Sequence, residues 1–460
     1  MDYSQLLEQN VWWKGKEEIS KDINLRRLEE KKVFWDPKLK KKLSLKPFSF
    51  NIVIGPRQTG KTTALKLMIK ELLNEYEPKQ LFYFNCDELT AQGDLIELIE
   101  SYLKIKKAEG FKTSIIILDE ITSPENWTKA IKSLIDKGIM DQDVLVATGS
   151  NSIRVKRESE YFPGRRGSGR DVLLLPLGFR RFVEVLHPEL ISKIPWTADF
   201  SRKNIMGAMA AAANYSVELT EYLEQYFETG GFPLAINALK TGSSLYDAKK
   251  SYQDGFISDI LKIGADIKTA KEVISAIIQK MPSHFSYNNI GNDIGKSSKT
   301  VETYLKLFLD LFSIAVLNNV DLSSKTPKLG KNKKVHFIDP LMARIFKDWS
   351  LSEKEIGKAI LAESVVVANM AMLDFSDFSI GERLCYWSNS NEIDVVVRGK
   401  GLMGIEVKWS SRVDIEKYLK HSSHFKELYF LSKDSYRPEE NVFPLACFLA
   451  VLGEGTKLKF

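Results

Sequence analysis

The chain reads as an α/β protein built on a parallel sheet, and three observations predict this. Short apolar runs alternate with helix-like segments from Phe48 to about Leu186: Phe48–Ile54, Leu81–Cys86, Ser114–Leu118, Val144–Thr148 and Val172–Leu175. Runs that are apolar throughout, rather than alternating, suit strands covered by helices on both faces. The first run leads directly into Gly55-Pro56-Arg57-Gln58-Thr59-Gly60-Lys61-Thr62, which fits G-x-x-x-x-G-K-[ST]. The third ends in Asp119-Glu120.

Apolar residues at helical spacing over Thr63–Leu73 follow the glycine-rich loop, so the loop joins a strand to a helix. Phosphate binding needs this arrangement. Gly55 and Gly60 let the backbone turn sharply with N–H groups inward, and the helix N-terminus faces the anion. Residues 55–63, Thr63 included, are the expected cradle for ATP, with Lys61 reaching the β- and γ-phosphates and Thr62 ligating Mg²⁺. Asp119 at the strand tip would support the same Mg²⁺, and Glu120 would orient or deprotonate the attacking water. The next strand runs out into Thr148-Gly-Ser150-Asn151, where Ser150 or Asn151 is either a γ-phosphate sensor or a helix cap. Arg165, Arg166 and Arg170 precede the last strand. They are arginine-finger candidates or surface arginines, and a finger acting in trans would need a homo-oligomer.

The 460 residues allow two to four domains. With 44% apolar and 27% charged residues a core can form without staples. Cys86, Cys385 and Cys447 are far apart with no C-x-x-C pair, which argues against a disulfide framework or zinc knuckle and suits a reducing cytoplasm. No apolar run approaches a membrane span, and the first twenty residues do not resemble a secretory signal. A net charge of +6 permits nucleic-acid binding without requiring it.

We divide the chain into an N-terminal helical and basic extension (1–46), the sheet domain (47–186), a helical lid (187–267), a winged helix (268–350) and a C-terminal α/β domain (351–460). In the extension, the basic run Lys38–Lys42 is a DNA contact or a solvated face. The winged helix is expected from helices at Ala270–Lys280, Tyr287–Ile294 and Ser298–Leu311, then strands at Ile314–Val320 and Lys334–Ile338. Lys296, Lys299 and Lys306 are its candidate phosphate contacts.

The ordered set GPRQTGKT, IIILDE, ATGSNS, PGRRG before LLLPLGFRRFVEV, and Thr229-Gly-Gly-Phe-Pro233 resembles a group of AAA+ type ATPases of archaea and bacteria. The resemblance covers about Leu45 to Leu452. It implies ATP hydrolysis and a Gly-x-Pro segment against the adenine, here Gly231 and Pro233. The alternative for that segment is a turn between lid helices.

Beyond Ser350 a helix (Ile356–Leu373) precedes strands at Leu384–Ser388, Ile393–Arg398 and Gly404–Val407, a helix near Val413–Leu419, and strands at Leu428–Leu431 and Phe443–Val451. Asp394 on one strand and Glu406-Val-Lys408 on the next resemble the PD-(D/E)xK restriction-endonuclease-like core. Residues two apart on a strand face one side, so Glu406 and Lys408 project together. The resemblance implies Mg²⁺ held by Asp394, Glu406 and the helical Glu363, with Lys408 activating water. The expected function is ATP-dependent DNA processing with metal-dependent cleavage. The alternative is an ATP-gated switch or scaffold whose C-terminal domain binds nucleic acid or a protein without cutting.

Overall fold

Five strands form the sheet of the first unit, Met1–Leu175: β1 (Ser49–Ile54), β2 (Leu81–Asn85), β3 (Ile115–Asp119), β4 (Val144–Gly149) and β5 (Asp171–Leu173). Their order is β2-β3-β4-β1-β5 and every pairing is parallel. The structure is a computed structural model that describes residues 2–149, 162–373, 383–389 and 391–453. All residues of β1, β3 and β4 are buried, as continuous apolar runs in a doubly covered sheet require. Four helices of this unit are used below: α1 (Tyr3–Gln9), α2 (Ile23–Glu29), α3 (Lys61–Leu72) and α4 (Gln92–Ala108). The placement of β4 between β1 and β3 brings the end of β4 beside both the glycine-rich loop and Asp119.

The N-terminal extension packs on the free edge of this sheet. In β2, residues 81, 83 and 85 turn their backbone groups away from β3, and the extension supplies partners for them. Trp12 and Trp13 each donate an indole N–H to the Leu81 carbonyl at 3.0 Å. Asn10 accepts from Tyr83 N at 2.7 Å and donates to Tyr83 O at 2.9 Å. Gln9 accepts from Asn85 N at 2.7 Å. Asn10 and Trp12 are fully buried. Asn10→Ala leaves both backbone groups of Tyr83 unpaired away from water, so we expect a loss of about 1–3 kcal/mol in urea unfolding.

The second unit, Pro176–Phe460, begins with helices. The Ala-rich segment of the expected lid forms two helices, α5 (Arg202–Ala213) and α6 (Ser216–Thr229), broken at Asn214–Tyr215. α7 (Pro233–Thr241) and α8 (Tyr246–Lys262) follow. Next come α9 (Ile267–Lys280), α10 (Tyr287–Ile294) and α11 (Ser298–Asp310), then an antiparallel pair, β6 (Ile314–Val320) and β7 (Pro327–Phe337). Ile290, Val301 and Leu305 are buried, as the helical period requires. α12 (Pro340–Trp349) leads to α13 (Lys358–Ala371), which is buried along almost its whole length.

β6 and β7 are not a separate two-stranded sheet. Together with β8 (Leu384–Ser388), β9 (Glu392–Arg398), β10 (Leu402–Val407), β11 (Glu427–Ser432) and β12 (Val442–Pro444) they make seven strands in the order β12-β11-β10-β9-β8-β6-β7. The join is a parallel pairing of β6 with β8 at Asn318–Cys385 and Asn319–Tyr386. Val320 packs into the same buried cluster as Cys385, Ile393, Val396 and Phe430. The segments 268–350 and 351–460 thus share a sheet and a core. The expected helix near Val413–Leu419 is one turn, Glu416–Leu419.

One expected strand is a helix. Phe443–Val451 reads as an apolar strand, but only Val442–Pro444 is extended, and α14 (Leu445–Val451) is helical. An apolar run has no period to distinguish the two when every face is buried. Here Pro444 sits at the N-cap, and the run of Leu, Ala, Cys and Phe has no β-branched residue until Val451.

Candidate functional site

The loop from Gly55 to Gly60 has the backbone that its glycines allow. Gly60 has φ +88° and caps α3, while Gln58 has φ +60°. A Cβ on Gly55 would lie 2.1 Å from the carbonyl of Leu174, so only glycine lets the loop pass β5. Thr59 donates its hydroxyl to Pro56 O at 3.0 Å, which closes the turn. Lys61, the first residue of α3, is 5% exposed and folds over the loop, donating to Gly55 O at 2.9 Å and Pro56 O at 2.8 Å.

Thr62 and Asp119 meet. The Thr62 hydroxyl donates to Asp119 Oδ2 at 2.6 Å. Tyr83 also donates to Oδ2, at 3.0 Å, and the Thr148 hydroxyl donates to Oδ1. Asp119 is 1% exposed, and its two oxygens are oriented by three hydroxyls from three elements. Glu120 follows with φ +49°, a left-handed conformation that costs about 1–3 kcal/mol outside glycine and is found where a site demands it. Its N–H donates to Thr148 Oγ1 at 3.1 Å and Asp119 Oδ1 at 3.2 Å. A hydroxyl and a carboxylate side by side beneath a phosphate loop are the oxygen donors Mg²⁺ takes, so Thr62 and Asp119 fit that ion. On binding nucleotide it would neutralise phosphate charge.

Sequence reasoning placed the polar group of β4 at Ser150 or Asn151, which lie outside the described residues. Thr148 is the β4 residue on Asp119, and its signal was a hydroxyl closing an apolar strand. Tyr83 was missed too. Its phenol is buried, and burial followed by the neighbouring Asp119 pushes its pKa well up, so it stays a donor. Lys66 of α3 lies 3.3 Å from the Tyr83 ring centre and 3.2 Å from Asp22 Oδ2, in the extension. Burial pulls Lys66 down to about 8 against the opposing effect of Asp22.

Two of the three arginines before β5, Arg165 and Arg166, have structural partners. Arg166 forms a fork on Asp171, at 2.9 and 2.6 Å, and also donates to the Phe50 carbonyl, tying β5 to β1. That correction removes its guanidinium from the set free to reach another subunit. Arg165 pairs with Asp136 at 2.6 Å and stays partly exposed. Gly231 donates to Asp339 Oδ2 at 2.7 Å and accepts from Leu177 N at 2.8 Å. A Cβ there would lie 1.9 Å from the Leu177 carbonyl. Pro233 opens α7 at its first position. Close packing and a helix start therefore account for the Gly-Gly-Phe-Pro turn within the second unit.

In the C-terminal sheet the four predicted residues converge. Asp394 of β9 accepts from Val407 N at 2.9 Å and lies 3.8 Å from Lys408 Nζ. Lys408 pairs with Glu406 Oε1 at 2.5 Å, and Tyr418 donates to that same oxygen at 2.5 Å. Glu406 Oε2 accepts from Asp394 N at 3.3 Å. Burial and then Asp394 push Glu406 up to about 7, and the same two causes push Glu363 up to about 8.

A fifth residue occupies the middle of the cluster. Lys334 of β7, 1% exposed, places its ammonium 2.7 Å from Asp394 Oδ1 and 2.5 Å from Glu392 Oε1. It also lies 2.8 Å from Glu363 Oε2, close enough for an ion pair but off the hydrogen-bonding direction. Burial alone would lower its pKa, but Asp394, Glu363 and Glu392 outweigh that and hold it well above the usual range. Lys334 lies in a basic run, Lys331-Asn-Lys-Lys334, at the start of the strand expected over Lys334–Ile338. Asp394 and Glu406 are thus held by protein groups and Glu363 faces the Lys334 ammonium, so the cluster as folded does not fit Mg²⁺. Among the described residues no group of three His, Cys, Asp or Glu is arranged to hold a metal ion.

Comparison with known proteins bears on the first sheet. Residues 48–183 match the family model of an AAA domain. With the all-parallel sheet and the loop at the end of β1, the first unit carries an AAA-type P-loop ATPase fold. A second family model, a domain of unknown function, matches residues 220–352. An uncharacterized protein of Methanocaldococcus jannaschii, MJ1544, is 25% identical over 378 residues, 79% of this chain and 76% of the relative. A second from that organism, MJ1637, is 22% identical over 327 residues, 68% of this chain and 66% of the relative. Among solved structures, the ORC2 protein of Aeropyrum pernix in ADPNP–ADP complexes is 12% identical, with a TM-score of 0.35 over 74% of this chain and 94% of its own. The ORC1 protein of Aeropyrum pernix in complex with DNA is 14% identical, with a TM-score of 0.33 over 73% and 96%. Superpositions this loose carry no inference about nucleotide or DNA here. No helix among the described residues is long and apolar enough to cross a membrane.

Proposed function

We propose that this protein binds and hydrolyses ATP at the Gly55–Thr62 loop and uses the nucleotide state to control binding of DNA by its second unit. The observation that carries the ATP reading is the contact of Thr62 with Asp119 at 2.6 Å beneath a loop whose lysine is already seated. Lys61 and the loop amides bind the phosphates, Thr62 and Asp119 hold Mg²⁺, and Glu120 accepts a proton from the attacking water. The hydroxyls of Tyr83 and Thr148 keep the Asp119 carboxylate in place.

The DNA part rests on α9–α11 with the β6–β7 pair, which we read as a winged helix, and on Lys296, Lys299 and Lys306, all exposed. For the C-terminal sheet we favour the reading of a nuclease-like core that binds without cutting, because Lys334 sits among the carboxylates. Metal-dependent cleavage is the second reading, favoured by the convergence of Asp394, Glu406, Lys408 and Glu363. The test is nucleotide binding and turnover by the full chain with and without duplex DNA. Lys61→Ala is expected to lose ATP binding by at least ~10²-fold, since the charge on the β- and γ-phosphates goes unmet. ATP binding by Lys61→Ala equal to the parent's would overturn the assignment.

A further inference from the structure

The carboxylate cluster of the seven-stranded sheet has its counter-charge built in. We propose that the Lys334 ammonium takes the place of a divalent cation there, so that the folded chain excludes metal from this site and withdrawal of the lysine creates one. The inference takes Asp394 and Glu363 as ligands from the nuclease-like reading and adds Glu392, the third carboxylate on Lys334.

The oxygens leave little for a metal. Asp394 gives Oδ1 to Lys334 and Oδ2 to Val407 N. Glu406 gives Oε1 to Tyr418 and Lys408, and Oε2 to Asp394 N. Glu363 and Glu392 both face Lys334. An ammonium with three carboxylate neighbours at 2.5–2.8 Å has the contacts of a hydrated ion's inner shell, supplied entirely by protein. Mg²⁺ or Mn²⁺ entering between these oxygens would have to displace a buried charge or lie against it, which like-charge repulsion at such separations opposes.

The lysine comes from outside the motif. Asp394, Glu406 and Lys408 belong to β9, β10 and the residue just after it, Glu363 to α13, whereas Lys334 arrives on β7 at the far edge of the sheet. α13 packs against both β7 and β9, which is how a lysine on the outermost strand reaches Asp394. Metal access is therefore tied to the position of the strand pair that follows the three-helix segment. A shift of β7 would carry the cation out and leave Asp394, Glu363 and Glu392 as a free oxygen set, the chemistry a hard divalent cation selects.

The test is Mn²⁺ binding to the nucleotide-free full chain, followed by electron paramagnetic resonance. Four proteins are compared: the parent, Lys334→Met, Lys334→Arg, and Lys334→Met combined with Asp394→Asn. Lys334→Met is expected to gain one Mn²⁺ site at least ~10-fold tighter than any in the parent, in the range by which neighbouring groups tune metal affinity. Lys334→Arg keeps the cation and should match the parent, and the double variant should lose the gained site. Should Lys334→Met fold poorly, its thermal midpoint under Mn²⁺ titration decides. A rise absent from the double variant supports the proposal, and no rise overturns it. The proposal also falls if the parent itself binds Mn²⁺ in a manner lost with Asp394→Asn, a measurement that needs no change at Lys334. Because the readout is metal binding, a chain that cuts no DNA can still satisfy it.

Discussion

Glu120→Gln is expected to bind ATP as the parent does and to hydrolyse it ~10²–10⁴-fold more slowly, the usual effect of removing a general base. Glutamine keeps the shape and polarity of the side chain but cannot take a proton. The backbone around it should not respond, because the N–H of residue 120 is what binds Thr148 and Asp119, and that N–H survives the change. Glutamine is no more branched at Cβ than glutamate, so the left-handed turn at this position, with φ of +49°, is equally open to it. Stopped-flow binding of a fluorescent nucleotide, beside phosphate release, separates the two quantities. Undiminished phosphate release would place the base elsewhere.

Asp394→Ala is expected to destabilise the second unit by about 3–5 kcal/mol, the cost of removing one partner from a buried ion pair. The substitution strips Lys334 of one carboxylate and leaves Val407 N without its acceptor. Lys408→Ala is expected to cost less than Asp394→Ala, because the lysine side chain is 41% exposed and its nearer partner, Glu406 Oε1, keeps the Tyr418 hydroxyl. The pH dependence has a defined sign. Burial raises Asp394, but Lys334 and then Lys408 more than compensate, and its pKa lies below the ordinary 3.8. A carboxylate depressed in the folded state contributes stability that is present above pH 3.8 and lost as pH falls through the folded value. Asp394→Ala should therefore flatten the acid arm of the stability curve while lowering the plateau, as chemical denaturation at stepped pH would show. Loss of DNA cleavage in Asp394→Ala would say little unless the variant is first shown to be folded, whereas Lys408→Ala carries no such burden.

What could be read in the sequence was what local chemistry dictates. A phosphate loop, an acidic pair after a strand and a Glu-x-Lys on a strand are each complete within a few residues. The five strands of the first sheet were legible because burial on both faces leaves an apolar run that little else produces. Lys334 was not legible, since its neighbours are lysines and its partners are supplied by residues 29–60 positions downstream. Only the order of the strands brings them together. Gln9, Asn10 and the two tryptophans lie in the helical and basic extension, with no motif to mark them. Their partners are backbone atoms about 70 residues away, and a backbone partner leaves no trace in side-chain pattern. Phe443–Val451 failed for the opposite reason, because total burial erases the period that separates helix from strand.

The covered edge of β2 has a consequence for association. An outer strand with open amides and carbonyls invites any extended peptide to add itself, including the same strand of another molecule. Here Gln9, Asn10, Trp12 and Trp13 occupy those positions with side chains, which end the sheet without extending it. The extension is in this sense a guard against self-templating. A chain cut before Leu45 would carry its phosphate loop intact, yet it would present Leu81, Tyr83 and Asn85 as a row of unmet donors and acceptors, and its first failure would be precipitation.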